Sequence, residues 1–305
     1  MGMGTLKYTD LFAPLEKEAL LVNLSDARRL FLEAVEDLHP LCHSVARELF
    51  EKKRINAEVR RGKQHGSFCK CLSPRQAPYI SVNFRGTIRD LMELAHELGH
   101  GIHYMLSSKQ SFLNFRIPPL LAETASTFFE ILLGRHLMKK EEFRVNHKAI
   151  AACRMDRILL TVFRQNVLTR FEQNLHNLRR NGPVSEEEIS GLWWDENRRL
   201  FGEDVQIPPH YHLGWAYIPH PVHRPFYCYS YVFGNLLSII LHEDYLEQGE
   251  GFFERIIQLL SSGSSRAPLE LLADIGLYPN EQAFWERAFQ YVAPWIDSLD
   301  LQEEE

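Results

Sequence analysis

Residues 87–106 constrain the fold more tightly than any other stretch. Thr87-Ile-Arg-Asp90 is a capping box in its Asp variant, and it opens a helix predicted to run to about Leu106. Leu91, Leu94, Ala95, Leu98 and Ile102 form one apolar stripe along that helix, so one face must pack into a core. Within it lies His96-Glu97-Leu98-Gly99-His100. Helix positions four apart differ by about 40° around the axis, so both imidazoles leave from one face. Two neutral imidazoles so placed can share one tetrahedral zinc ion. Glu97 lies about 100° from His96, near enough for its carboxylate to act as general base on a water at the metal.

A catalytic zinc needs a third protein ligand and an open fourth position. The elongated pattern with a third histidine fails, because His103 stands where that pattern has glycine and position 106 is Leu106. A helix-borne carboxylate downstream is the other solution. Glu123 fits, since its small neighbours Ala122, Ala125 and Ser126 permit close helix–helix approach. Glu130, two turns further on the same face, is the rival ligand. It is preferred as an acceptor that orients an imidazole N–H. His103, one turn beyond His100, is read as a hydrogen-bonding group behind the ligands or a wall of a substrate pocket, or equally as a packed or solvated helix residue.

The rest of the chain reads as one mostly helical domain over 1–305, mainly α with a small β-sheet before the H-E-x-x-H helix. Ser25 is the expected N-cap of a first helix, which Pro40 interrupts or restarts before a second helix to about Lys53. The only β-like region is Asn56–Arg60, Ser67–Cys71 and Tyr79–Phe84. Helix is then predicted over Ala122–Met138 and over a long stretch from about Glu141 to Arg180, which Asn181-Gly182-Pro183 stops. Ser185-Glu-Glu-Glu starts another, and Phe201–Pro225 is a structured loop rich in Pro, Gly, His and aromatics. Four more helices follow, at about Tyr227–Glu247, Phe252–Leu260, Pro268–Ile275 and Glu281–Ile296, with a frayed tail at Glu303–Glu305.

A net charge of −6 provides no global basic field for nucleic acid and no uniform attraction to an anionic membrane. The basic clusters Lys52-Lys53-Arg54 and Arg60-Arg61-x-Lys63 are read as a solvated helix end and loop. Five scattered cysteines (42, 69, 71, 153 and 228) make no disulfide framework, and Cys69-x-Cys71 is read as two strand cysteines. The N-terminus carries no apolar segment of a secretory signal, and no apolar run reaches the length of a membrane span. A cytoplasmic location is expected.

With these motifs in hand, the chain resembles the oligoendopeptidase F group of metallopeptidases, relatives of thimet oligopeptidase. Pro78-Tyr-Ile-Ser-Val-Asn83-Phe-Arg-Gly86-Thr87 leading into the metal helix is similar to that family, as is Ala122-Glu-Thr-Ala-Ser-Thr-Phe. So are Thr161-Val-Phe-Arg-Gln165 with Phe171-Glu172 and His176, and Ile218-Pro-His220 with Pro225-Phe-Tyr-Cys-Tyr-Ser-Tyr231. Ser261-Ser-Gly-Ser-Ser with Pro268-Leu-Glu-Leu-Leu completes the set. The resemblance implies a helical zincin-type catalytic domain with one Zn2+ per chain, hydrolysing peptide bonds in oligopeptides. It implies that His220 and Tyr229 donate to the developing oxyanion, with Tyr227 and Tyr231 as alternatives, and that the loop at Gly66 lies near substrate. His210, His212 and His223 are expected to be ordinary loop residues.

Members of that family carry a sizeable lobe before the metal-binding half, and His96 comes too early for it. The chain is expected to be the catalytic half alone, with a more open cleft or a partner chain supplying the missing wall, and with self-association or loose solubility following from the apolar surface so exposed. Two other readings remain open: a carboxypeptidase or dipeptidase on the same scaffold, for which Arg224 is the nearest cation in sequence, and a metal-bearing module that binds peptides without turnover.

Overall fold

The computed structural model describes residues 5–12 and 21–300, with no side chain described at 12 or 297–300. In chain order the elements are β1 (Leu6–Lys7), α1 (Leu24–Glu36), α2 (Pro40–Glu51), β2 (Ile55–Asn56), β3 (Phe68–Lys70), β4 (Tyr79–Ser81), α3 (Ile88–Ser107) and α4 (Pro119–Met138). They continue with α5 (His147–Ile158), α6 (Arg164–Arg179), α7 (Glu186–Phe201), β5 (Val205–Gln206), α8 (His220–His223), α9 (Tyr229–Gln248), α10 (Glu250–Ser261), α11 (Pro268–Asp274) and α12 (Gln282–Asp300). The fold is mainly α, with a small sheet ahead of α3, as expected. No helix among the described residues is long and apolar enough to cross a membrane.

Contacts divide the chain into two compact units, Met1–Lys17 with Arg157–Val232, and Glu18–Asp156 with Phe233–Glu305. The second contains α3 and α4. The capping box forms: the Thr87 hydroxyl accepts from the Asp90 N–H at 3.1 Å, and the Asp90 carboxylate accepts from the N–H groups of Arg85 and Thr87. Leu91, Leu94, Ala95, Leu98 and Ile102 are each no more than 1% exposed. The sheet of this unit has the order β2–β4–β3, with β2 parallel and β3 antiparallel to β4. Its strands are shorter than the expected segments. The Lys63 ammonium gathers the carbonyls of Asn56, Glu58 and Val82 at 2.6–2.9 Å, so it is a structural donor inside the loop and not a solvated charge.

Helices α3 and α4 approach at backbone distance. A Cβ at Gly99 would stand 2.7 Å from the Ser126 Cα and 3.0 Å from the Ala125 carbonyl oxygen. On its other flank α4 meets α9, where a Cβ at Gly234 would stand 2.6 Å from the Glu123 Cβ. One turn along α9, the Ser238 hydroxyl donates to the Thr124 carbonyl at 2.7 Å. The helix carrying Glu123 and Glu130 is thus gripped from two sides at Glu123–Ser126.

The first unit is organised on α6 and α7, whose Phe171 and Trp193 rings pack edge to face at 5.4 Å. Ser185 and Glu188 form the capping box that starts α7. A second sheet, missed in the sequence, pairs β1 with β5 in parallel. Its strands are two residues each, too short for a period-2 pattern to register.

Several boundaries differ from expectation. Asn23, not Ser25, caps α1: its side chain accepts from the Asp26 N–H at 2.9 Å and donates to the Asp26 carboxylate at 2.7 Å, a reciprocal fit that places the cap two residues earlier. The long helix from Glu141 to Arg180 is instead a 3-10 segment (Glu141–Asn146), α5, a π segment (Leu159–Phe163) and α6. Inserting one residue shifts the apolar face without ending helical geometry, so the periodicity alone does not reveal the break. Phe201–Pro225 holds β5, a 3-10 segment (Pro209–Tyr217) and α8. The tail Glu303–Glu305 lies outside the described residues.

Helix propensity alone would make Gly99→Ala stabilising by about 1 kcal/mol. The approach to Ser126 reverses the sign, and the expected result is a net loss of roughly 1–3 kcal/mol. Gly191, in α7 with nothing within 4 Å of its ideal Cβ, should gain stability on the same substitution. Urea denaturation of both variants tests the difference in sign.

Candidate metal centre

His96 and His100 lie on adjacent turns of α3, and Glu123 reaches them from α4. The Glu123 Oε2 atom is 3.5 Å from His96 Nε2 and 3.8 Å from His100 Nε2. One potential ligand atom from each residue lies within 4.8 Å of the others. Tetrahedral ligands at zinc distances sit roughly 3.3–3.5 Å apart, so this set is close to the spacing that one zinc ion would impose. The imidazoles stand at 89° to each other with centroids 4.9 Å apart, which brings their Nε2 edges together without stacking.

The outer edges of both rings are held. His96 Nδ1 lies 3.3 Å from Glu130 Oε2. The His100 ring bonds the backbone of Ala122, one residue before Glu123. Each arrangement directs the second nitrogen, Nε2, inward as an acceptor. Glu123 and Glu130 therefore meet opposite edges of the same His96 ring, one on the inner side and one on the outer.

Glu97 is 4% exposed, and among the described residues its Oε2 atom has no hydrogen-bond partner. Burial pushes its carboxyl above the usual carboxylate range, against the opposing pull of His96. A shielded carboxylate oxygen left open beside three converging ligand atoms fits a centre that holds a metal ion and a water. Ser67 itself donates to Glu93 at 2.5 Å, so Glu93 is bonded on its helix face. Gly66 adopts φ +80°, and its carbonyl accepts from the Asn83 side chain at 3.1 Å, which fixes the loop before β3.

His103 departs from the expectation of a substrate contact. At 1% exposure it leaves no surface for a ligand, because α3 turns that position into the core behind His100. Among the described residues its Nδ1 atom has no hydrogen-bond partner. Cys69 is half-buried in β3, and burial pushes its thiol far up, in keeping with an inert strand cysteine.

The first unit assembles the aromatic group. His220 stacks near Tyr227 with centroids 6.3 Å apart, and Tyr231 stands edge-on to both, at 6.3 Å from His220 and 5.2 Å from Tyr227. Tyr229 lies between them in sequence but is 42% exposed, and no ring contact joins it to His220. Beneath this segment Glu172 of α6, 1% exposed, accepts the N–H of Phe226 at 2.8 Å. Phe226 has φ +56°, a left-handed conformation that a bulky residue adopts only when its surroundings impose it. The His176 ring packs on Phe226 at 4.7 Å.

Sequence reasoning assigned no role to Gly99, Gly234 or Glu172. The first two carried a signal, since a glycine inside an amphipathic helix calls for a packing reason. Glu172 carried none, because its partner is a backbone N–H 54 residues away.

Burial holds His100 down to about 4 and His103 down to about 3, so both remain neutral in the folded metal-free protein where unfolded imidazoles already protonate. The unfolded state then binds more protons from about pH 6.5 downward, and stability falls as pH falls until the folded-state values are reached. Metal-free protein should unfold at a lower urea concentration at about pH 5 than at about pH 7, with the loss beginning near pH 6.5.

Comparison with known proteins places this geometry in a family. The description of peptidase family M3 matches residues 24–291. Oligopeptidase PepF of Bacillus subtilis is 29% identical over 273 residues, covering 88% of this chain and 40% of its own length. The chromosomal oligoendopeptidase F of Lactococcus lactis subsp. cremoris is 26% identical over 302 residues, covering 98% of this chain and 50% of its own. A crystal structure of a Chlamydophila abortus protein assigned as a peptidase superposes with a TM-score of 0.81 at 26% identity, over 97% of this chain and 50% of that one. The chain spans about half the length of the curated relatives it matches. With the match running from α1 into α12 and including both helices of the metal centre, the chain belongs to peptidase family M3.

Proposed function

We propose that this chain is a zinc-dependent endopeptidase that hydrolyses peptide bonds in oligopeptides, residues 1–305 forming its catalytic domain. The observation that carries the reading is the meeting of His96, His100 and Glu123 beside the open, shielded carboxylate oxygen of Glu97. In it, His96, His100 and Glu123 would hold the ion, with Glu130 fixing the His96 ring from its outer edge. When bound, the ion would supply Lewis acidity toward water and the scissile carbonyl.

Glu97 takes the proton from the attacking water and delivers it to the leaving amine. Its burial, which raises its proton affinity, suits both halves of that transfer. His220 and a phenol of the 227–231 segment donate to the oxygen on which negative charge develops. Tyr229 was preferred from sequence; the ring contacts of His220 favour Tyr227 and Tyr231 as its companions. Gly66, at the turn before β3, borders the substrate backbone. Among the described residues no disulfide joins the cysteines, which supports a reducing, cytoplasmic setting.

A quenched fluorescent peptide, assayed with and without chelator and with blocked or free C-termini, tests the reading. Glu97→Gln should retain zinc, measured by atomic absorption, while turnover falls roughly 10²–10⁴-fold. A parent protein that binds zinc and cleaves nothing would overturn it, and a strict need for a free C-terminus would replace endopeptidase by carboxypeptidase. Glu130→Ala should weaken zinc affinity by about 10–100-fold through loss of ring orientation.

Glu172→Leu removes the acceptor for the Phe226 N–H, whereas Glu172→Gln keeps one. We expect kcat to fall about tenfold in the Leu variant alone, with zinc content unchanged in both, because a buried unpaired N–H costs on the order of 1–3 kcal/mol and frees the loop. Equal activities would separate this loop from turnover.

A further inference from the structure

From Leu91 to His103, α3 is buried at every position except Glu93, His96 and His100. Tyr104 follows and is again half-buried. It stands one turn past His100 and only about 40° round the axis from it, so it extends the open stripe that carries both imidazoles. His103 leaves about 60° to the other side of His100 and enters the core. The Tyr104 ring packs on Phe115 with centroids 5.8 Å apart, and Phe115 is 3% exposed. Burial raises the phenol above its usual range, so at neutral pH it is a protonated donor. No hydrogen bond engages it among the described residues.

Cations gather on this side of the stripe. Arg116, next to Phe115, is exposed, and its charge acts on the Tyr104 phenol. Strand β3 follows α3 in the same direction: Ser67 bonds Glu93, and Cys69 and Cys71 lie within electrostatic range of Tyr104. Lys70, between the two cysteines, is exposed, as is Arg75 on the turn that the Cys71 thiol fixes. That turn and the residues after α3 line one cleft, with Arg75 on one side and Ser108 and Phe112 on the other. The sequence has no Asp or Glu from Val59 to Arg89, and none from Leu98 to Ala122. Glu123, whose charge also reaches the phenol, is committed to the two imidazoles. A phenol O–H and a guanidinium are both donors, and the group that completes them is an acceptor-only anion such as a carboxylate.

We propose that Tyr104 and Arg116 form a substrate subsite one turn beyond His100, which holds a carboxylate of the peptide, either an Asp or Glu side chain or the chain terminus. The inference rests on the endopeptidase reading and gives it a substrate class, acidic oligopeptides. Lys70 and Arg75 extend the positive field on the same side and draw such peptides toward the cleft. Contacts to an exposed guanidinium are weak in water, so the subsite sets a preference and not a strict requirement.

The test uses the zinc-loaded chain and quenched fluorescent peptides that differ only by Glu or Gln, scanned along both sides of the scissile bond, with amidated C-termini. A second pair contains no acidic residue and differs only in a free or amidated C-terminus. At one position kcat/KM for Glu should exceed that for Gln by roughly threefold to tenfold, expressed in KM and shrinking as salt rises. A preference confined to the second pair assigns the subsite to the chain terminus. Arg116→Gln should remove the preference, and Tyr104→Phe, which keeps the packing on Phe115, should reduce it about twofold to threefold. Arg266→Gln removes the same charge from a guanidinium already held by Asp274 at 2.6 Å, and should keep the parent's preference. Cleavage with no preference in either pair, or with an unchanged preference in Arg116→Gln, would overturn the subsite and leave the peptidase reading standing. Fluorescence anisotropy of the same peptides on Glu97→Gln reads binding without turnover. A Glu preference there, with no cleavage by the parent protein, would keep the subsite and overturn the peptidase reading.

Discussion

Three helices meet at Glu123–Ser126 with almost no side-chain spacing between them, and the candidate metal centre depends on that contact. Gly99 lets α3 rest on the backbone of α4 at Ser126, and Gly234 lets α9 rest on it at Glu123. A methyl group at either glycine would stand under 3 Å from α4, a separation that cannot be relaxed by rotating a side chain. The approach brings a short carboxylate arm from α4 within 3.5–3.8 Å of two imidazoles on α3. Wider helix spacing, which larger side chains at the contact enforce, would draw Glu123 away from both rings.

The same tight packing sets the electrostatics. Imidazoles taken out of water favour their neutral, ligating form, and His100 is held there by burial. Glu97 is affected in the opposite chemical sense, since burial raises a carboxyl's proton affinity. One buried turn of helix thus carries bases of two kinds, with the inner nitrogens facing Glu123 and the outer ones tied to Glu130 and the Ala122 backbone. These polar contacts sit inside a core whose neighbouring residues are almost fully buried, so the groups have little freedom to reorient.

In the other unit, a buried carboxylate serves the main chain. Glu172 holds Phe226 in a left-handed conformation, and the chain reversal there starts the run of aromatics that turns into α9. His220, Tyr227 and Tyr231 gather as a ring cluster, and Tyr229, two residues from each of the other tyrosines, is 42% exposed. A sequence in which tyrosines alternate cannot state which of them shares a side with the histidine, because the segment passes from irregular backbone into helix and its side-chain direction changes where it does so.

What the sequence determined by itself was local and periodic. The Thr87–Asp90 and Ser185–Glu188 caps, the buried stripe of α3, the i, i+4 placement of His96 and His100 and the small residues around Glu123 all follow from bonds and spacings within a few residues. The family resemblance reached further, from the early helices nearly to the last. Tertiary structure alone decided which edge of His96 meets Glu123 and which meets Glu130, that His103 turns inward, and that Lys63 draws loop carbonyls together. Each of these depends on groups distant in the chain meeting at a few ångströms. A helix pattern states the face on which a side chain leaves, while the atom waiting there is supplied by another element.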